Sequence, residues 1–190
     1  MVRSYTDEPV DPGAVTRMLA NAIRSPSAGF SQGWAFLLLD EADAVARFWA
    51  VTTPEPSPGS TPSPWLEGMR RAPVVVVALA CKDAYLDRYA EPDKGWTDRD
   101  ETRWPVPYWH VDTGMASLLM LLTAVDEGLG ACFFGIPAER VGAFRDTFGV
   151  PGDHTPVGAI TVGHPAPDRR SPSLRRGRRR LSEVVHRGRW

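Results

Sequence analysis

Val111 to Gly135 reads VDTGMASLLMLLTAVDEGLGACFFG, and this stretch decides the architecture. Met115, Leu118, Leu119, Met120, Leu121, Leu122 and Val125 make the segment Val111–Glu127 apolar nearly all round. A helix with so little polar surface has to be covered on most of its sides. In a chain of 190 residues a second copy is an economical cover. Gly128-Leu129-Gly130 stops the helix, and Ala131 to Phe134 reads as a strand.

Working outward, Ala138–Phe148 is expected as a helix and Val157–Val162 as a strand. Toward the amino terminus, Val74–Ala80 is rich in β-branched residues and reads as a central strand. Trp34–Leu39 reads as another strand, and Ala42–Val51 as a helix. Asp11-Pro12 opens an amphipathic helix carrying Val15, Met18, Leu19, Ala22 and Ile23, which Ser25-Pro26-Ser27-Ala28-Gly29 breaks into a loop. Five prolines between Pro54 and Pro64 exclude helix and central strand, so residues 54–64 form a surface loop. Residues 82–107 are polar but carry Tyr85, Tyr89, Trp96 and Trp104, an excursion over the surface with aromatic anchors. About four strands and about five helices are mixed along one domain, residues 1–190.

The charges nearly cancel, 22 basic against 23 acidic, which argues against a protein built around nucleic acid or membrane. They are unevenly placed. Residues 169–190 hold nine Arg and one acid, Glu183, leaving 13 basic and 22 acidic side chains on the body. Cys81 and Cys132 sit in apolar surroundings without metal or redox spacing and read as buried structural thiols. No zinc or calcium spacing, Gly-rich phosphate fingerprint or nucleophile elbow is present, so no metal is expected. The start of the chain lacks a signal-like apolar run, and the longest apolar run, Val74–Cys81, suits a buried strand; a cytoplasmic location is expected.

Four segments in order resemble the nitroreductase family. Val2-Arg3-Ser4-Tyr5-Thr6-Asp7-Glu8-Pro9-Val10 is similar to the end of its opening motif. Residues 25–36, SPSAGFSQGWAF, are close to its A-P-S-x-x-N-x-Q-P-W-x-F loop. Residues 126–135 run through Gly-Leu-Gly into a short strand, and the last segment spans Pro156-Val157, Gly163-His164-Pro165 and the tail Arg176 to Leu181. The resemblance implies an α+β fold with a mostly antiparallel central sheet flanked by helices. It also implies an intertwined homodimer with FMN in two clefts between the copies. NADH or NADPH would reduce the flavin, and a nitroaromatic, quinone or similar acceptor would be reduced by hydride passed through flavin N5.

The family roles carry over by position. Arg3 matches the basic residue near flavin N1 and O2, where positive charge suits the reduced ring. Pro26, Ser27 and Ala28, with Phe30 and Gln32, match the loop that lines the flavin from the partner. Phe133, Phe134 and Gly135 match the strand end whose backbone faces N5. Arg176 and Arg178 match the pair that grips the FMN phosphate, which would bring the tail to the cofactor. A nucleic-acid arm is the competing reading of the tail, but such arms need aromatic or groove-reading companions and the run Arg175–Arg180 has none. Trp96, Trp104, Tyr108 and Trp109 are candidates for a lid over a flat substrate, with packing as the alternative. His110 and His164 read as structural. Alternatives to the reductase are other flavin chemistry (dehalogenation, metabolite oxidation, flavin breakdown) and storage of FMN without turnover.

The chain departs from the pattern at three places. Phe30 stands where the loop usually has Asn, Gly33 stands where it has Pro, and Met1 stands where the opening motif has Ser. The family's preceding Arg would fall upstream of Met1. Extending the chain upstream with Arg-x-Ser in register is therefore expected to tighten FMN binding by about tenfold or more, the worth of one charged hydrogen bond. Titrating both versions with FMN checks this; equal dissociation constants would assign the phosphate to the C-terminal arginines alone.

Overall fold

The structure is a computed structural model that describes residues 1–54, 63–168 and 171–190. In chain order, α1 is Pro12–Ala22, β1 Trp34–Leu39, α2 Ala42–Thr52, α3 Pro64–Arg70 and β2 Val74–Cys81. They are followed by α4 Lys82–Ala90, α5 Tyr108–Asp126, β3 Gly130–Phe134, α6 Val141–Phe148 and β4 His154–Gly163. The sheet order is β1-β2-β4-β3, and all three pairings are antiparallel, as the resemblance implied for most of the sheet.

The uninterrupted apolar run of β2 follows from its place. It lies between β1 and β4 with helices on both faces, and every residue from Val74 to Ala80 is buried. Alternation along the strands then assigns the two cores. Val75, Val77 and Leu79 meet Phe48 and Trp49 of α2, Met69 of α3 and Phe144 of α6. Val74 and Val76, with Ile160 and Val162, meet Val15 and Met18 of α1 and Ala116, Met120 and Ala124 of α5.

Local signals place the helix ends. Asp11 Oδ1 accepts the Gly13 N–H at 3.0 Å, and Pro12 opens α1, where a missing N–H costs nothing. Gly128 turns the chain out of α5 at φ 72°, which lets the Leu129 N–H reach Ala124 O at 2.7 Å. Pro107 starts α5 at Tyr108, one turn before Val111. Two helices differ from the sequence reading. Pro64, expected at the end of a loop, is the first residue of α3, and α4 occupies the first third of the 82–107 excursion. Residues 55–62 of the Pro-rich loop, and Arg169 and Arg170 of the tail, lie outside the described residues. The rest of the tail forms two short 3-10 turns, Pro172–Arg176 and Leu181–Glu183, and residues 173–190 are exposed. Cys132 is buried, but Cys81, at the end of β2, is only partly so.

Helix α5 is apolar on the side away from its own sheet. Leu118, Leu122 and Val125 are 53%, 57% and 71% exposed. The buried side carries Asp112, Thr113, Ser117 and Thr123 beside Ala116, Met120 and Ala124. The three hydroxyls are satisfied by carbonyls one turn back, Thr113 on Trp109, Ser117 on Thr113 and Thr123 on Leu119.

The opening segment is laced onto the sheet. The Val2 N–H donates to Ala131 O, Thr6 N–H to His164 O, and Ala166 N–H to Ser4 O, each at 3.0 Å. Tyr5 is fully buried, its hydroxyl 2.8 Å from Val2 O and 2.9 Å from Thr161 Oγ1. Between these ties the Arg3 carbonyl lies against α3, so close that a Cβ on Gly68 would stand 2.2 Å from its oxygen. Gly68→Ala is expected to force α3 and Arg3 apart and to destabilise the fold by about 1–3 kcal/mol. Urea unfolding of the variant checks this, and an unchanged midpoint would show that the opening segment yields freely.

Candidate functional site

The end of β3 opens into a cavity of about 770 Å³. One wall comes from the chain that leaves the strand, Phe134, Gly135, Ile136 and Pro137. The facing wall comes from α2 and α3, through Trp49 and Thr52 on one side and Trp65, Leu66 and Glu67 on the other. Trp49 stacks on Phe134 with ring centroids 5.5 Å apart and planes 6° from parallel, and Trp65 meets Phe134 edge-on at 5.7 Å. Thr53, Ser63 and Arg70 add polar groups to the lining. Such a mix, aromatic walls with a few polar groups, is what a flat cofactor with one hydrogen-bonding edge requires.

Two further observations suit a ligand here. A Cβ added to Gly135 would meet nothing within 4 Å, so the backbone at the strand end is open to close approach. Trp49 is 5% exposed, and its Nε1 has no hydrogen-bond partner among the described residues. Arg3 is half-buried, with its carbonyl against Gly68 of α3 and its guanidinium beside Cys132 of β3, and it is not among the residues that line the cavity. Burial pushes the adjacent Cys132 thiol up, while the Arg3 guanidinium pulls it the other way. The thiol therefore stays protonated and is a poor nucleophile.

The structure does not bring all the sequence candidates together within one chain. Phe134 and Gly135 line the cavity, but the Phe133 ring packs on the other face of the sheet, against Gly158. Only the Phe133 backbone is left for a role beside the cavity. Pro26, Ser27, Ala28, Phe30 and Gln32 form a turn against α4 and α5, away from the cavity lining, with Pro26, Phe30 and Gln32 exposed. Arg176 and Arg178 are exposed and form no ion pair among the described residues. Trp96, Trp104, Tyr108 and Trp109 pack on one another and on Tyr85 and Tyr89, with Trp104 in the middle, 4.6 Å from the Tyr89 centroid and 6.1 Å from that of Trp109. His164 Nε2 lies 3.3 Å from Pro9 O. His110 is exposed, and partial desolvation pushes its imidazole down.

Sequence reading missed Trp49, Thr53, Trp65 and Arg70. Trp49 looked like an ordinary helix residue and Trp65 followed the Pro-rich loop without an assigned element, and only the fold sets them against Phe134. It also missed the cross-strand cluster of Cys81, Asp153 and His154, whose donor atoms lie within 4.8 Å of one another. The Arg145 guanidinium donates to Gly152 O and His154 O beside that cluster. Its positive charge opposes a bound cation.

The antiparallel sheet, the helices on both its faces and the aromatic cavity where a glycine-led strand ends define an α+β protein of nitroreductase-like fold. The chain belongs to the nitroreductase family, whose match covers residues 1–164. It is 24% identical to a protein of Archaeoglobus fulgidus provisionally named NADH dehydrogenase/NAD(P)H nitroreductase, over all of this chain and 92% of that protein. It is 29% identical to 5,6-dimethylbenzimidazole synthase of Rhodospirillum rubrum, over 92% of this chain and 82% of that enzyme. A provisionally named nitroreductase of Desulfovibrio desulfuricans, solved in complex with FMN, superposes with a TM-score of 0.70 at 25% identity, covering 97% of this chain and 88% of its own. No helix among the described residues is long and apolar enough to cross a membrane.

The tail geometry separates two neighbouring arginines. Arg179 donates to Glu183 O at 2.7 Å, whereas no such bond holds Arg178 among the described residues. Arg178→Ala is expected to weaken FMN binding by roughly tenfold to a hundredfold, and Arg179→Ala by less. FMN titration of both variants checks this; equal losses would mean that position 178 has no special place at the phosphate.

Proposed function

We propose that the chain is an FMN-dependent oxidoreductase that uses NADH or NADPH to reduce a conjugated acceptor, such as a nitroaromatic or a quinone, by two electrons. The observation that carries this reading is the cavity where Trp49 and Phe134 stack beside the open backbone of Gly135, in a chain of this family. When bound, FMN supplies the redox chemistry, taking hydride equivalents from the nicotinamide and giving them to the acceptor.

The chain's own residues bind, orient and exclude water. Trp49, Trp65 and Phe134 form dry walls for a planar ring, and an aromatic wall restricts how that ring tilts. The Gly135 backbone offers hydrogen bonding without a titrating side chain. Arg3 brings fixed positive charge beside Cys132, on the strand whose end opens into the cavity, which favours a cofactor that gains negative charge when reduced. Arg176 and Arg178, without ion pairs of their own among the described residues, remain available for a phosphate. The Ser27–Gln32 turn is out of reach of its own cavity, which supports a site completed by a second copy.

The exposed side of α5 supplies the reason for that second copy. Leu118, Leu122 and Val125 present apolar surface that a partner's equivalent helix would cover. A second reading rests on the dimethylbenzimidazole synthase relative, since the dimethyl-substituted ring of that product is also a part of the flavin ring system. On this reading the bound flavin is consumed as substrate.

Anaerobic mixing of the FMN-loaded protein with NADH or NADPH, followed by flavin absorbance, tests the proposal. Bleaching by either donor and recovery on adding a quinone support the reductase. Bleaching followed by permanent loss of flavin colour in air favours breakdown, and no bleaching favours storage. For assembly, sedimentation at micromolar concentration is expected to show a dimer, and Leu122→Glu to shift it toward monomer. A compact, FMN-loaded wild-type monomer would overturn the two-chain site.

A further inference from the structure

Asp112 is a buried acid that the proposed chemistry does not use. It lies on the inner side of α5 with 1% of its surface exposed. Its Oδ2 accepts two hydrogen bonds of 2.8 Å, one from the Tyr85 hydroxyl of α4 and one from the backbone N–H of Ala28. Tyr85 is fully buried, and burial holds its hydroxyl in the protonated form, so it remains a donor. A buried acceptor that joins a helix, a second helix and a turn fixes the three relative to one another.

The turn so fixed is under backbone strain. Gly29, Phe30 and Gln32 have φ of 61°, 58° and 51°. A bulky side chain in the left-handed region persists only where its surroundings enforce it. Here they do. Ser27 Oγ accepts the Gln32 N–H at 2.8 Å, Arg88 Nε donates to Gly29 O at 2.9 Å, and Asp112 holds Ala28 between them. Tyr89 closes the remaining space, since a Cβ on Gly29 would come within 2.6 Å of its ring.

What this enforcement delivers is Phe30, 76% exposed on a rigid turn. The turn hangs from Asp112, and the next residue back, Val111, belongs to the exposed side of α5. On the two-chain reading proposed above, a second copy that covers this side would reach the turn that carries Phe30. We infer that Asp112 is a positioning residue, which with Tyr85 locks the Ser27–Gln32 turn so that Phe30 stands as an aromatic wall of the second copy's cavity and selects flat acceptors. This rests on the two-chain flavin site proposed above. Where the family loop usually has Asn, this chain thus presents an apolar face that favours stacking over hydrogen bonding.

The test uses the FMN-loaded full-length chain and compares a naphthoquinone, which is flat and stacks, with ferricyanide, which takes electrons without stacking. Phe30→Ala is expected to raise the ratio of quinone KM to ferricyanide KM by roughly threefold to tenfold, the range for a lost aromatic stack. Asp112→Ala is expected to raise the same ratio, and Asp112→Asn, which can still accept a hydrogen bond, to recover part of it. Tyr85→Phe is expected to act in the same direction and carries the test if Asp112→Ala does not fold. In a Phe30→Ala background, Asp112→Asn and Tyr85→Phe are expected to add no further rise. Equal losses with both acceptors, or losses that multiply in the double variants, would reduce Asp112 to a structural role and overturn the inference. A chain that takes up no FMN overturns the proposed function and this inference together. Normal FMN uptake with a KM ratio indifferent to Phe30→Ala overturns the inference alone.

Discussion

Helix α5 packs against its own sheet through Ala116, Met120 and Ala124, and the rest of the molecule is arranged around that contact. The small residues let the helix lie close to β2 and β4, and Met18 of α1 fills the space beside them. Two polar latches hold α1 alongside. Arg17 forms a paired bond with Glu127, and Asn21 Nδ2 donates to Thr123 Oγ1 at 3.0 Å. The inner side tolerates Thr113, Ser117 and Thr123 because each hydroxyl returns a hydrogen bond to its own helix. Leu118, Leu122 and Val125 are left outside, where each still has more than half of the about 1.5–3 kcal/mol of full burial to gain. The proposed dimer is the state in which that surface is covered.

The same arrangement separates the parts of the site. Strand β3 emerges beneath α5 and points Phe134 to the opposite face, where α2 and α3 supply Trp49 and Trp65. The turn after α1 is held near the start of α5 by Asp112. One chain thus carries a cavity on one face and a rigid projecting turn near the start of α5. Two copies joined through α5 would let each supply what the other lacks.

The sequence made some of this legible and hid the rest for physical reasons. The strand β2 announced itself because a strand covered on both faces has no polar positions to interrupt Val74–Cys81. The glycine stop at Gly128 was equally plain. The existence of α5 was legible, but the direction of its faces was not, because Thr and Ser look polar until their hydroxyls are bonded to the backbone. Helix α4 was read as part of a surface excursion, since Lys82, Asp83, Asp87 and Arg88 mask a buried edge made by Tyr85 and Leu86. Helix α3 was obscured by the prolines before it, although Pro64 in its first turn is compatible with a helix start. The pairing of Trp49 with Phe134 spans 85 residues and leaves no periodic trace.

The departures from the family pattern in the 25–36 segment become a coupled set once α4 is in view. A Cβ on Gly33 would stand 2.5 Å from the Tyr85 ring and 2.8 Å from Cys81 O, so no larger residue fits there, proline included. Gly29 is confined in the same way by Tyr89. Losing a proline gives up a fixed φ and loosens the unfolded and folded chain alike. In this protein the lost stiffness is replaced by tertiary contacts, the two tyrosine rings on one side and the Asp112 carboxyl on the other. The aromatic cluster around Trp104 then has a reason to exist apart from any lid, because Tyr85 and Tyr89 can press on the turn only if their far edges are themselves supported. Phe30 follows last. The turn is held by its neighbours and by Ser27 Oγ, so the Phe30 side chain is not needed to hold it and stands 76% exposed.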